Sequence, residues 1–395
     1  MKNQEPILVC GTGIAGLACA LGLARAGLPA ALLGPRQAPA ARAVDDYHPR
    51  VYAISPASRD LLDKLGAWRL MDTRRITAVE AMEIHGDADG RLDLSAWQDA
   101  RDALAWIVES GEIERALQQA VQVMGIAWHE DRFERLEARA PGVRITTAQG
   151  RALEAALLVG ADGARSPVRL AAGIEHHYTP YGDMGVVAHL DIGRSHQNRA
   201  CQWFTGDSVF ALLPMPDTAD GPQASLVWSM HEGRARQWLA LDGDAQQAFL
   251  AAHARAITGD RLGALRLRTR PQGFPLTLER SAMTAPGVAL IGDAAHRVHP
   301  LAGQGLNLGL GDVRELVDVL RMREPHRTPG DPRVLARYRR RRAEPVQAMG
   351  LVTDGLHRLF GASNAPTAWA RNQGMRLVDG VPFLKRRLIQ AAAGD

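Results

Sequence analysis

Three stretches of this chain place glycine beside an acidic residue or a helix start, directly after a short apolar run. Ile7 to Cys10 leads into Gly11-Thr-Gly13-Ile-Ala-Gly16, Leu157 to Gly160 into Asp162-Gly163, and Val288 to Ile291 into Gly292-Asp293. A further turn, Gly303-Gln304-Gly305, opens the apolar run from Leu306 and Asn307. In the first stretch the spacing of glycines suits a tight turn, a close approach of pyrophosphate to backbone N–H groups and close helix-on-strand packing. A carboxylate at a strand end can accept from a ribose or ribitol hydroxyl, and a glycine turn at a helix start lets a flat ring meet bare amides. As such a ring is reduced, the negative charge that develops on it is favoured by the helix N-terminus. The joint pattern reads as a site for a flavin dinucleotide, FAD.

The elements that must position these residues follow from periodicity. Ile7–Cys10 and Ala30–Leu33 read as buried parallel strands flanking a helix, the start of a doubly wound α/β unit. Between Tyr181 and Pro275 the runs Gly185–Leu190, Val209–Leu213 and Ala224–Met230 are rich in β-branched and aromatic residues and are separated by Gly, Pro and Asp clusters, so they read as antiparallel strands of a second sheet. The expected fold class is α/β: a Rossmann-like FAD-binding domain from 1–72, 102–182 and 275–330, interleaved with a smaller antiparallel-sheet substrate domain from 73–101 and 183–274. A C-terminal helical region, 331–395, follows, with helices over Tyr338–Gly350 and Leu351–Phe360. The run Arg339 to Arg342 reads as a solvated helix face.

Taken in order, the three strand-end elements resemble the aromatic-ring flavoprotein monooxygenases of the p-hydroxybenzoate hydroxylase type. Within that group, Arg50-Val-Tyr-Ala-Ile-Ser55, Trp106-Ile-Val-Glu109, His299-Pro-Leu-Ala-Gly-Gln-Gly-Leu-Asn-Leu-Gly-Leu310 with Asp312, Tyr338-Arg-Arg-Arg-Arg342 and the closing stretch from Arg371-Asn-Gln-Gly-Met375 to Pro382-Phe-Leu-Lys385 resemble the ubiquinone-biosynthesis hydroxylase family. The resemblance implies FAD held by Gly11, Gly13, Gly16, Arg50, Asp162, Gly163, Asp293, Pro300, Gly303, Gln304, Gly305, Leu306 and Asn307. It also implies NADPH or NADH as electron donor, dioxygen as co-substrate and a polyprenylated phenol as the ring to be hydroxylated. The same resemblance suggests partners among the subunits of a quinone-synthesis complex and a peripheral contact with the inner membrane face. Two other readings stay open: a related monooxygenase acting on a soluble aromatic, and a non-catalytic flavoprotein subunit. Gln202, Trp203, Phe210, Leu212 and Pro214 are expected around the ring pocket, about half of them facing it because strand side chains alternate. No catalytic base is legible.

One position departs from the family. The acidic residue that ends the second strand of such folds and holds a ribose is replaced in Leu32-Leu-Gly34-Pro-Arg36. Either Arg36 or a neighbouring backbone group takes over, or FAD is held less tightly; an acid restored at 34 is expected to tighten it.

Composition excludes little else. With 395 residues, 46% hydrophobic and 23% charged, the chain is an ordinary globular one, and the formal charge of +4 with arginines spread throughout gives no footprint for nucleic acid. Three cysteines, Cys10, Cys19 and Cys201, sit in apolar patterns and suit a reducing, cytoplasmic setting. The apolar stretch Ile7–Leu33 contains glycines and Pro29, which fit a strand, turn, helix and strand better than a membrane span. His296 and His299 lack a third ligand, so no metal is expected.

Overall fold

The computed structural model describes residues 5–36, 43, 45–86, 90–298, 305–361, 379 and 381–394. Strands and helices are numbered in chain order. A six-stranded sheet forms the first layer, in the order β19 (Thr284–Ala285), β20 (Val288–Leu290), β12 (Leu157–Gly160), β1 (Ile7–Cys10), β2 (Ala30–Leu33), β8 (Ala127–His129). β1 pairs in parallel with β2 on one side and β12 on the other, and β12 in parallel with β20. All four β1 residues and all four β12 residues are buried, as a parallel strand covered on both faces requires. The three turns singled out in the sequence therefore leave neighbouring strands at one edge of one sheet.

Helices α1 (Ile14–Arg25), α3 (Ser110–Val123) and α7 (Gly305–Arg321) cover this sheet and share its core with Leu17, Leu21, Ile113, Leu117, Val313 and Leu316. α2 (Pro56–Lys64) is capped by Ser55, and α4 (Pro167–Ala171) by Ser166. Helix α8 (Pro332–Gly361) adds Val334, Leu335 and Tyr338 to the same core, with the Tyr338 hydroxyl donating to the Leu290 carbonyl at 2.8 Å. The two helices expected over 338–360 are thus one, running through Pro345 and Gly350; a single internal glycine costs only about 1 kcal/mol, too little to end a helix packed along its length. A small ribbon, β9 (Phe133–Arg139), β10 (Gly142–Thr147) and β11 (Ala152–Ala155), connects β8 to β12.

The second sheet has the order β21 (His296–Arg297), β18 (Gln272–Ser281), β13 (His176–Ile192), β16 (Gln223–His231), β15 (Ser208–Pro214), β14 (Arg199–Phe204), β5 (Ala81–His85), β6 (Arg91–Ser95), with β17 (Leu265–Leu267) also on β13. One face packs under α5 (Glu232–Ala240) and α6 (Gly243–Thr258), around Val186, Phe210, Leu226, Trp228, Trp238 and Leu250. The opposite face meets a three-stranded sheet, β3 (Val51–Ile54), β7 (Ala105–Glu109) and β4 (Ile76–Val79), through Tyr47, Val79, Ile107, Ala200 and Met215. This seam joins the two halves of the molecule. β21 joins them a second time, since it follows the Gly292-Asp293 turn and pairs with β18.

Ile7–Leu33 folds as β1, α1 and β2, and among the described residues no helix is long and apolar enough to cross a membrane. A last helix, α9 (Pro382–Ala393), lies beside the short turn at Ala96–Asp99. The motif at 371–375 lies outside the described residues.

Candidate active site

The first turn is shaped by backbone alone. Gly11 has φ +115°, and a Cβ there would lie 2.1 Å from the Ala161 carbonyl oxygen. At Gly16 a Cβ would lie 2.0 Å from the Gly11 oxygen, so helix and turn touch without side chains. Gly13, the N-cap of α1, faces open space, and no side chain caps the helix. The first N–H groups of a helix left in this state form an anion site.

At the second turn Asp162 is largely buried. One carboxylate oxygen accepts from the Val168 amide at 3.0 Å; the other, also buried, has no partner in the protein. Burial pushes its pKa up, against the hydrogen bonds from Ser166 and Val168. Gly163, at φ +83°, faces open space. Arg169, buried, donates to the carbonyls of Ala294 at 2.8 Å and Ala164 at 2.7 Å, and so ties the second turn to the third.

The third turn rests on ionised side chains. The Gly292 amide donates to Asp312 Oδ2 at 2.9 Å; the same carboxylate takes His296 Nε2 at 2.7 Å and Arg342 Nε at 2.6 Å. Arg342 also donates to the Leu308 carbonyl at 2.9 Å. Burial works against ionisation of Asp312, yet His296, Arg342 and the Gly292 amide hold its pKa below the ordinary value. The solvated-face reading of the arginine run is therefore corrected at its last member: Arg342 is only 3% exposed because it neutralises a carboxylate inside the molecule. Asp293 takes no part in these hydrogen bonds and is half exposed, 4.0 Å from Arg297.

Of the helix start expected to cradle the ring, Pro300, Gly303 and Gln304 lie outside the described residues, as does His299. Gly305 faces open space, and Leu306 packs against the first core. Asn307 does something the sequence did not suggest: its amide donates to the Ala53 carbonyl at 2.8 Å and accepts from the Ser55 amide at 3.0 Å, clamping β3 to α7. Arg50 precedes β3, its guanidinium over the Tyr52 ring at 4.9 Å.

Gly34 corrects a second expectation. Its φ is +152°, and a Cβ would lie 2.9 Å from Thr12 Cγ2, so any side chain there is strained and has to displace Thr12. What surrounds it is polar nonetheless. Trp128 Nε1 donates to the Gly34 carbonyl at 2.9 Å, Arg36 lies over the Trp128 ring at 4.7 Å, and Arg36 pairs with Glu130 at 3.4 Å. Because Leu33 is in register with His129, Glu130 leaves the next strand beside the place where the missing acid would stand.

Strand alternation divides the expected ring-pocket residues. Trp203, Phe210 and Leu212 belong to the core under α5 and α6, and Pro214 pairs with Ala224 on that side, so these four are corrected to core positions. Gln202 is on the other face, where Ala211, Val227 and Val187 continue its row across β15, β16 and β13, all half-buried.

A family model described as FAD binding domain matches residues 4–351. The 3-demethoxyubiquinol 3-hydroxylase of Escherichia coli is 34% identical over 420 residues, covering 100% of both chains. Ubiquinone hydroxylase UbiL of Rhodospirillum rubrum is 32% identical over 98% of this chain and 89% of its own, and the mouse ubiquinone biosynthesis monooxygenase COQ6 is 31% identical over 98% and 90%. The chain belongs to the ubiquinone-biosynthesis hydroxylase family of FAD-dependent monooxygenases. Among solved structures, Klebsiella pneumoniae HpxO complexed with FAD and uric acid shares the fold of this hydroxylase at a TM-score of 0.76 and 18% identity, over 100% of this chain and 97% of the other. Pseudomonas aeruginosa PqsL does so at 0.73 and 22%, over 95% and 100%.

The hydroxylase has the features FAD asks for. The uncapped start of α1 suits a pyrophosphate, and the unpartnered Asp162 oxygen suits a hydroxyl, since a buried carboxylate oxygen left without a donor is costly.

Proposed function

We propose that this monooxygenase hydroxylates the ring of a polyprenylated phenol on the route to ubiquinone, with NADPH or NADH as reductant and dioxygen as the oxygen source. The observation that carries the substrate class is the similarity, over nearly the whole chain, to two hydroxylases and a monooxygenase named for ubiquinone or its precursors. The half-buried, mainly apolar inner row of Val187, Ala211 and Val227 supports it, since a prenylated ring needs an apolar wall.

When bound, FAD supplies the redox chemistry, taking electrons from reduced nicotinamide and using dioxygen to oxygenate the ring. The chain's own part is to hold and orient. In this reading Gly11, Gly13 and Gly16 admit the pyrophosphate, Asp162 beside Gly163 and Asp293 accept from sugar and ribityl hydroxyls, and Pro300, Gly303, Gln304, Gly305 and Leu306 meet the ring. Arg50 adds positive charge nearby. Arg36 and Glu130 serve the adenosine end in place of the absent strand-end acid, while Asn307 acts through β3.

A polyprenyl chain resides in a bilayer, so the reading includes a peripheral contact with an anionic membrane surface at the cytoplasmic face. On α9, Phe383 is 64% exposed and Leu388 44%, beside exposed Arg386 and Arg387, a pairing of apolar and basic groups suited to a headgroup layer. The same surface is available to subunits of a quinone-synthesis complex.

The test is a deletion strain. It should accumulate a quinone intermediate lacking one ring oxygen, and this gene should restore ubiquinone; unchanged ubiquinone in the deletion strain would refute the reading. Co-sedimentation with vesicles containing anionic lipid tests the surface contact separately.

A further inference from the structure

The seam between the second sheet and β3–β7–β4 holds buried polar atoms that the fold itself does not use. His189, on β13, is 1% exposed. Its Nε2 lies 2.8 Å from the His48 carbonyl oxygen. A carbonyl only accepts, so Nε2 carries the proton and Nδ1 is left with a lone pair. That Nδ1 is buried and has no hydrogen-bond partner. Directly across the strand pair stands Ser225 on β16, fully buried, its hydroxyl also without a partner. Leu213 continues the row on β15 and packs into the seam with Tyr47, Val79 and Ile107.

One unpartnered acceptor and one unpartnered donor on adjacent strands are the complement of a hydroxyl group: the first takes its hydrogen, the second its lone pair. Both stand one step along their strands from the half-buried row, since Val187 and Val227 are two residues from His189 and Ser225 and point to the same face. Resting on the phenol-hydroxylase reading, we infer that His189 is the proton acceptor for the substrate's ring hydroxyl and that Ser225 donates to the oxygen as it becomes a phenolate.

The step is balanced within the pair. The ring O–H bond breaks and an Nδ1–H bond forms; the electron pair stays on oxygen and raises the electron density of the carbons ortho and para to it, where oxygenation occurs. The same proton returns to that oxygen once the hydroxylated ring has regained aromaticity.

The surroundings keep His189 neutral before the step. Burial lowers its pKa below the ordinary value, Glu109 on β7 and the hydrogen bond to the His48 backbone oppose that, and His48 and Arg268 add to it. Tyr47, edge-on to the imidazole at 6.5 Å, has the Arg75 guanidinium over its ring at 4.6 Å. The His189 amide donates to Thr269 Oγ1 at 2.8 Å, which fixes the strand beneath the ring.

Two substitutions separate chemistry from structure. His189→Gln places an amide nitrogen near Nε2, keeping the donor to the His48 carbonyl and removing the base. His189→Asn cannot reach that carbonyl and removes the structural contact. With the FAD-loaded enzyme, NAD(P)H and a short-chain prenylphenol, His189→Gln should bind FAD as the wild type does and lose on the order of 100-fold in kcat, with KM little changed. The loss should shrink as pH rises and the phenol ionises unaided, and should shrink likewise with a fluorinated, more acidic phenol. Ser225→Ala should show a smaller fall, about 10-fold, in the same direction. A His189→Gln enzyme with wild-type kcat and an unshifted pH profile overturns the inference; so does a fall in kcat that neither pH nor phenol acidity relieves. If the wild type itself oxygenates no prenylphenol, it is the proposed function that fails.

Discussion

Two turns at the same sheet edge are made rigid in different ways. The turn after β1 is fixed by what is missing: at Gly11 any side chain would overlap the Ala161 backbone and at Gly16 that of Gly11, so β1, β12 and the start of α1 close on one another. The turn after β20 is fixed by what is present, a buried carboxylate from α7 bridging Gly292, His296 and an arginine from α8. Neighbouring parts of one cleft thus depend on steric exclusion in one case and on charge compensation in the other. The two should fail differently.

Asp312→Ala gives the largest effect expected. It leaves Arg342 buried without its counter-ion, at a cost of about 3–5 kcal/mol, read as a lowered denaturant midpoint together with poor FAD retention. Gly11→Ala comes next, at about 3 kcal/mol, because it adds backbone overlap and a positive φ; its loss should be the same at every pH. The contrast sharpens under acid. The pKa of Asp312 is depressed in the fold, so its contribution to stability is complete above the unfolded carboxylate value, around 4, and is lost as pH falls through the lower folded value. The wild type should therefore lose stability with acid more steeply than Asp312→Ala does, and parallel curves would count against the charge account. Smaller again is Gly34→Glu, which should weaken FAD binding to apoprotein by about 1–2 kcal/mol, the reverse of what the family pattern suggests. Glu130→Gln should cost about 1 kcal/mol of the same affinity, measured by fluorescence titration.

The contrast also explains what could be read from the chain. Glycine spacing after an apolar run is a local signal, and Ile7–Cys10, Gly11, Gly13 and Gly16, like the strands of the second sheet, are legible without any fold in hand. Asp312 was visible only as part of a family pattern, and Arg342 looked like the end of a solvated run, because the pair spans 30 residues and two helices. Position 34 misled for a related reason: the pattern asks for an acid, but the close approach of Thr12 is a tertiary fact. In the second sheet the choice of strands was legible while the face was not. Alternation says that Phe210 and Ala211 point opposite ways, and only the placement of α5 and α6 decides which one is inside.

The reach of Arg342 also sets an order of events during synthesis. The first turn uses residues near the start of the chain and β12, so its half of the cleft can close while much of the protein is still unmade. The turn at Gly292 cannot settle until α8 has emerged and its arginine has met Asp312. A nascent chain halted before residue 342 holds one finished half of a cofactor grip and one unfinished half, the second lacking the arginine that neutralises Asp312.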